Sequence, residues 1–124
     1  MPAILVRVML AALAVAAIAV GAASLRKDHG CADVKAQART GPAAALASVG
    51  EEAIARCGDP RDRAIVALVL VNRGRRREAI DVTRRMTQTT PDDYIGWLSL
   101  WRLTGDRAAL VKAHRLNPRG TPAP

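Results

Sequence analysis

The sequence predicts an all-α protein, three antiparallel helical hairpins stacked as a short solenoid behind one amino-terminal apolar helix. Three observations carry that prediction. Hydrophobic residues make up 50% of the 124 and are chiefly Ala, Leu and Val, with no Phe, one Tyr and two Trp, a mixture that favours helix over sheet. Pro60 stands fourteen positions before Gly74, and Pro91 the same interval before Gly105, so a proline that opens a helix and a glycine that closes it occur twice. Between and after these markers, apolar residues recur at spacings of three and four.

The amino-terminal element comes first. Residues 8–25 carry no charged side chain, and the apolar stretch widens to 4–25 if Arg7 snorkels toward the headgroups. Eighteen helical residues span about 27 Å, close to the roughly 30 Å hydrocarbon core of a bilayer. Residues 1–27 are therefore expected to be a transmembrane anchor. A cleaved signal segment stays open as the alternative, because the run ends in the small residues Gly21, Ala22, Ala23 and Ser24. Arg7 on one flank and Arg26 and Lys27 on the other leave the orientation undecided by charge.

The folded part is expected over 28–118, with 119–124 as a loose, proline-rich tail. A short helix over 31–39 is broken by Gly41 and Pro42, and a second follows over 43–57, where Leu46, Val49, Ala53, Ile54 and Cys57 form one apolar stripe. In an antiparallel pair the start of the first helix lies beside the end of the second. Cys31 and Cys57 occupy those two ends, which predicts a disulfide closing a loop of about 27 residues, worth roughly 3.5 kcal/mol in a small domain. Disulfides persist in oxidising compartments, so the pair places the domain outside the cytoplasm. His29, Cys31, Cys57 and His114 lack the close paired spacing of a zinc site.

The next helix has Asp59 as N-cap, Pro60 at its first position and Asp62 in its first turn. From Ala64 to Val71 it is apolar on nearly every side, which predicts burial on both flanks. Residues 75–87 follow, turning Ala79, Ile80, Val82, Thr83 and Met86 inward. Thr90, Pro91 and Asp93 then repeat the opening signal, and Tyr94, Trp97, Leu98, Leu100 and Trp101 supply the next buried face up to Gly105. Residues 106–116 form the last helix, with Ala109, Leu110, Ala113 and Leu116 inward and Asn117 and Pro118 at its end.

Over residues 59–118 these signals resemble the tetratricopeptide repeat family. Gly74, Ala79 and Pro91 match the spacing of its turn glycine, second-helix alanine and terminal proline. Pro91 followed by Trp97 and Leu100 matches the opening of a repeat, and Ala113, Leu116 and Pro118 match its close. The resemblance implies stacked helical hairpins that hold a protein partner. Family repeats run 34 residues, whereas Pro60 and Pro91 lie 31 apart and Pro91 and Pro118 lie 27 apart. Trp101 stands where the family keeps a small residue, which implies a short, capped stack. The closing run is also similar to repeat tails on some bacterial envelope polysaccharide enzymes.

The formal net charge is +8, nearly all of it arginine. Arg73, Arg75, Arg76 and Arg77, with Arg84 and Arg85 one to two turns on, are the candidate surface for an anion or partner, because guanidinium groups hold phosphates and carboxylates through paired hydrogen bonds. The more common fate of such a cluster is a solvated face. Nucleic acid is disfavoured, since no aromatic side chains interleave with these arginines for base stacking. Catalysis has little support: no nucleophile stands in a recognised setting, there is no glycine-rich phosphate loop, and Asp92 and Asp93 belong to a helix start. No cofactor or metal is expected. The sequence thus predicts a noncatalytic, membrane-anchored adaptor for an envelope protein, its domain outside the cytoplasm. A module binding anionic lipid or polysaccharide through the arginines and a cytoplasm-facing repeat adaptor are the rival readings.

Overall fold

A single helix, α1 (Pro2–Thr40), runs from the apolar segment into the folded part without a break. This computed structural model describes the backbone of residues 2–124 and the side chains of residues 3–22 and 30–124. The side chains of Ala23, Ser24, Leu25, Arg26, Lys27, Asp28 and His29 lie outside the described residues. The two separate elements expected at 1–27 and 31–39 are one, and the physical reason is local. No proline falls between residues 3 and 41, and a lone interior glycine such as Gly30 costs about 1 kcal/mol without ending a helix. Gly30 instead gives room to the stem of Arg56, whose Cδ lies 3.4 Å from where a β-carbon would stand. Within α1, Ala3–Ala22 is 20 residues with a mean hydropathy of 2.6 and none of it buried, long and apolar enough to cross a membrane.

A 3-10 turn (Ala43–Ala45) leads into α2 (Leu46–Arg56), followed by α3 (Pro60–Asn72), α4 (Arg76–Thr89), α5 (Tyr94–Thr104) and α6 (Arg107–Leu116). The described residues contain no strand. The sequence signals explain most of these ends. Asp59 Oδ1 accepts from Arg61 N at 2.8 Å with Pro60 in the first turn of α3, and Asp106 Oδ1 accepts from Ala108 N at 2.9 Å at the start of α6. Gly74 (φ +77°) and Gly105 (φ +75°) both sit in the left-handed conformation that ends a helix and that other residues rarely adopt.

Pro91 departs from the expectation. It lies in a turn, and α5 begins three residues later with Asp93 as the N-cap, its Oδ1 accepting from Ile95 N at 2.8 Å. Asp93 N donates to Thr90 O across that turn, so Asp93 sets the helix start. The two fourteen-residue intervals therefore enclose helices of unequal length, 13 residues in α3 and 11 in α5.

Consecutive helices pack as α1 with α2, α3 with α4 and α5 with α6, and each pair contacts the next through α1 with α3, α2 with α3 and α4, α4 with α5, and α3 with α5. One apolar cluster joins the first four, with Val34, Leu46, Val49, Val66, Leu70 and Met86 at its centre. Leu98, Leu100, Ala109, Leu110 and Ala113 are buried in the α5 and α6 region. Tyr94, Trp97 and Trp101 are only half-buried, and Trp97 Nε1 donates to Pro91 O at 2.8 Å, fastening the turn before α5. Two glycines permit the closest helix approaches. A β-carbon on Gly50 of α2 would stand 2.7 Å from Val82 Cγ2 of α4, and one on Gly96 of α5 would stand 3.2 Å from Met86 Cβ of α4.

The cysteines pair as the sequence predicted. Cys31 and Cys57 form a disulfide with Cα atoms 4.8 Å apart, joining α1 to the residue that ends α2. In the tail, Thr121 is buried and its hydroxyl donates to Asn117 O at 2.7 Å, and Gly120 N donates to Asn117 Oδ1 at 3.0 Å, so the segment expected to be loose is fastened to the end of α6.

Candidate functional site

The six arginines proposed as a surface have different fates, and helix ends engage two of them. The last carbonyls of a helix have no N–H one turn on, and they attract cations. At the end of α1 the helical partner of Ala38 O would be the amide of residue 42, but that residue is proline and has none. Arg73 Nη1 takes the vacant place, donating to Ala38 O at 3.1 Å. At the end of α5, Arg76 Nη2 donates to Leu103 O at 2.5 Å. Both guanidinium groups fasten one helix end to another element.

The other four divide by their neighbours. Arg75 Nε lies 3.0 Å from Glu78 Oε1, an ion pair whose angle falls short of a hydrogen bond. Arg85 Nη2 donates to Glu51 Oε1 at 2.9 Å, bridging α4 and α2. Arg84 Nη1 stands 3.9 Å from Asp81 Oδ1 with both side chains largely exposed, a pair worth little in water. Arg77 is exposed and has no hydrogen bond or ion pair among the described residues. The run of guanidinium groups that looks like one surface in the sequence is thus divided among helix ends, local ion pairs and solvent.

A seventh arginine, absent from the sequence-level candidates, is the most deeply engaged. Arg63, in the first turn of α3, is 6% exposed. Its Nε donates to Cys57 O at 2.6 Å and its Nη2 to Ile54 O at 2.9 Å, capping the end of α2 beside the disulfide. Burial lowers its pKa below the ordinary arginine value. Its position next to Asp62 in a charged N-terminal turn gave no periodic signal of burial. The one available clue was its place three residues before Val66, on the buried side of the helix.

An open cleft lies elsewhere. A cleft of about 220 Å³ runs between α3 and α5, lined by Ala64, Ile65, Ala67 and Leu68 on one side and Ser99, Arg102 and Leu103 on the other. Ile65 is 39% and Leu68 60% exposed. The expectation that α3 is buried on both flanks is thereby corrected. Its neighbours α1, α2, α4 and α5 cover the sides bearing Val66, Ala67 and Leu70, and among the described residues no element covers Ile65 and Leu68. A second, smaller cleft between α2 and α4 is lined by Glu51, Glu78, Asp81 and Arg85, where Glu51 pairs with Arg85, Glu78 with Arg75 and Asp81 with Arg84.

Several other polar groups serve the fold. Lys35 Nζ contacts Asp62 Oδ1 at 2.9 Å, tying α1 to the start of α3. His114 Nδ1 lies 3.3 Å from Thr121 Oγ1, and both cysteines are held in the disulfide. Compared with known proteins, the chain matches no protein-family model, no curated protein and no solved structure.

Proposed function

We propose that the chain is a noncatalytic, membrane-anchored adaptor that holds another envelope protein at the cleft between α3 and α5. The observation that carries this reading is the exposure of Ile65 and Leu68 in an apolar cleft on a helix whose Val66, Ala67 and Leu70 are buried. Exposed apolar clefts rimmed by polar groups are where small domains receive partners. A stack of tetratricopeptide-like hairpins accounts for the packing order, in which each helix pair meets the next through both its members.

In this reading the apolar span Ala3–Ala22 is the anchor, and the disulfide supports a domain on the oxidising side of the membrane. A noncatalytic role agrees with the use of the polar groups: Asp59, Asp93 and Asp106 cap helices, and both cysteines are bonded. The anionic-lipid reading of the arginine run has less to stand on. Ala38, which Arg73 caps, lies sixteen residues past Ala22, about 24 Å along the helix axis and clear of the headgroups of the anchoring membrane.

The test is a crosslinking pull-down of the tagged full chain from its own membranes, beside the Leu68→Ser variant. A partner recovered with the parent chain and depleted with the variant supports the adaptor. Equal recovery, or none above background, removes it.

A further inference from the structure

The charges around the cleft define what its occupant must carry. Arg102 is the only charged residue in the lining, and no aspartate or glutamate accompanies it. Its guanidinium is exposed and has no hydrogen bond or ion pair among the described residues. The same holds for the side chain of Arg61, one turn before Ile65 on α3. This contrasts with Arg63, Arg73, Arg76 and Arg85, whose guanidinium groups all have partners inside the domain. The cleft therefore combines the exposed aliphatic side chains of Ile65 and Leu68, with the half-buried Leu103 opposite, and a cation lacking a counter-charge among the described residues.

Its volume of about 220 Å³ leaves room for an aliphatic side chain. Lipid from the anchoring bilayer is poorly placed to fill it. Asp62, two residues before Ala64, is paired with Lys35. Lys35 lies thirteen residues past Ala22, about 20 Å along the helix from the end of the apolar span.

On the adaptor reading above, we propose that the α3/α5 cleft recognises a protein segment presenting an aliphatic side chain beside a carboxylate. The aliphatic group covers Ile65 and Leu68, and the carboxylate meets the Arg102 guanidinium, a charge-assisted and geometrically selective contact. The rim charge gives orientation and selectivity, while the apolar wall gives most of the affinity.

The test uses fluorescently labelled twelve-residue peptides and the full chain in neutral detergent micelles. Each peptide carries one Leu with a Glu one to four residues away, and matched controls replace Glu by Lys or Leu by Ser. At least one Leu/Glu spacing is expected to bind, with each control weaker by about tenfold. Leu68→Ser weakens that binding, and Arg102→Glu reverses the preference from Glu to Lys. Both positions are exposed, so circular dichroism of the variants should match the parent. Absence of binding, equal binding of Glu and Lys peptides, or an unchanged preference in Arg102→Glu overturns the proposal. Displacement of the peptide by dodecanoate or by phosphatidylglycerol vesicles at equal concentration also overturns it, in favour of a lipid occupant. If the peptides fail while a photoreactive residue at position 68 still crosslinks to a protein in intact membranes, the adaptor stands and the proposed chemistry falls. If both fail, both readings fall.

Discussion

Arg73 caps α1 through Ala38, the carbonyl that Pro42 leaves without a helical amide, at 3.1 Å. A break in one helix is thus repaired by a side chain 35 residues later. Arg63 does the same for α2 and Arg76 for α5. Each of the three fastens the carboxyl end of one helix to a different helix, so arginine acts in this domain as a joint.

Removing a joint should cost stability in proportion to its burial. Arg63→Met leaves Cys57 O and Ile54 O without their donor and is expected to destabilise the domain by about 2–3 kcal/mol, whereas Arg73→Gln, at a half-buried site, should cost about 1 kcal/mol. Arg77→Gln, which removes no described contact, should change stability by less than about 0.5 kcal/mol. Urea unfolding followed by circular dichroism ranks the three, and an Arg77 effect as large as that of Arg63 would contradict the assignment.

The close approach of α2 and α4 predicts a steric coupling. Gly50→Ala drives a β-carbon to 2.7 Å from Val82 Cγ2, at an expected cost of about 1–3 kcal/mol. Shortening Val82 to Ala in the same chain should recover part of that loss, which a double-mutant cycle measures. Gly58→Ala serves as the control, since nothing lies within 4 Å of its added β-carbon.

The disulfide should be a major part of the domain's stability. Replacing Cys31 and Cys57 together by Ser is expected to cost about 3–4 kcal/mol in the chain-entropy estimate. Labelling intact cells with a membrane-impermeant thiol reagent, before and after reduction, tests the compartment as well. Labelling only after reduction is the expected result, and free thiols in the native protein would contradict an oxidising location.

The parts of the fold that rest on local chemistry were legible in the sequence. Asp59, Asp106, Gly74 and Gly105 act through residues within a turn of themselves, and the Cys31 to Cys57 pairing follows from the ends of two adjacent helices. Pro91 misled because a nearer cap, Asp93, has its own hydrogen bond to offer the helix start. The parts that rest on distant partners were not legible. Whether Arg63 is buried depends on where α2 ends, and whether Gly50 and Gly96 are needed depends on which helices cross there. The candidate site shows the same limit. An all-round apolar α3 reads as an inner helix, and only the absence of a covering element beside Ile65 and Leu68 makes it a cleft.

A continuous helix between the apolar span and the domain predicts a dependence on helical phase. Inserting one Ala between residues 25 and 26 turns the domain by about 100° and lifts it about 1.5 Å, while seven Ala nearly restore the facing and lift it about 10 Å. Partner crosslinking in membranes should fall with one Ala and recover better with seven. Equal yields in both would show that α1 flexes between anchor and domain.

The adaptor reading stands or falls most directly on photocrosslinking from single positions in native membranes. A benzophenone side chain at position 68, on the cleft, should give a discrete adduct with another protein, and one at position 77, outside the cleft, should not. Adducts at position 77 but not at 68, or at neither, would contradict the proposal that the α3/α5 cleft is where this protein holds its partner.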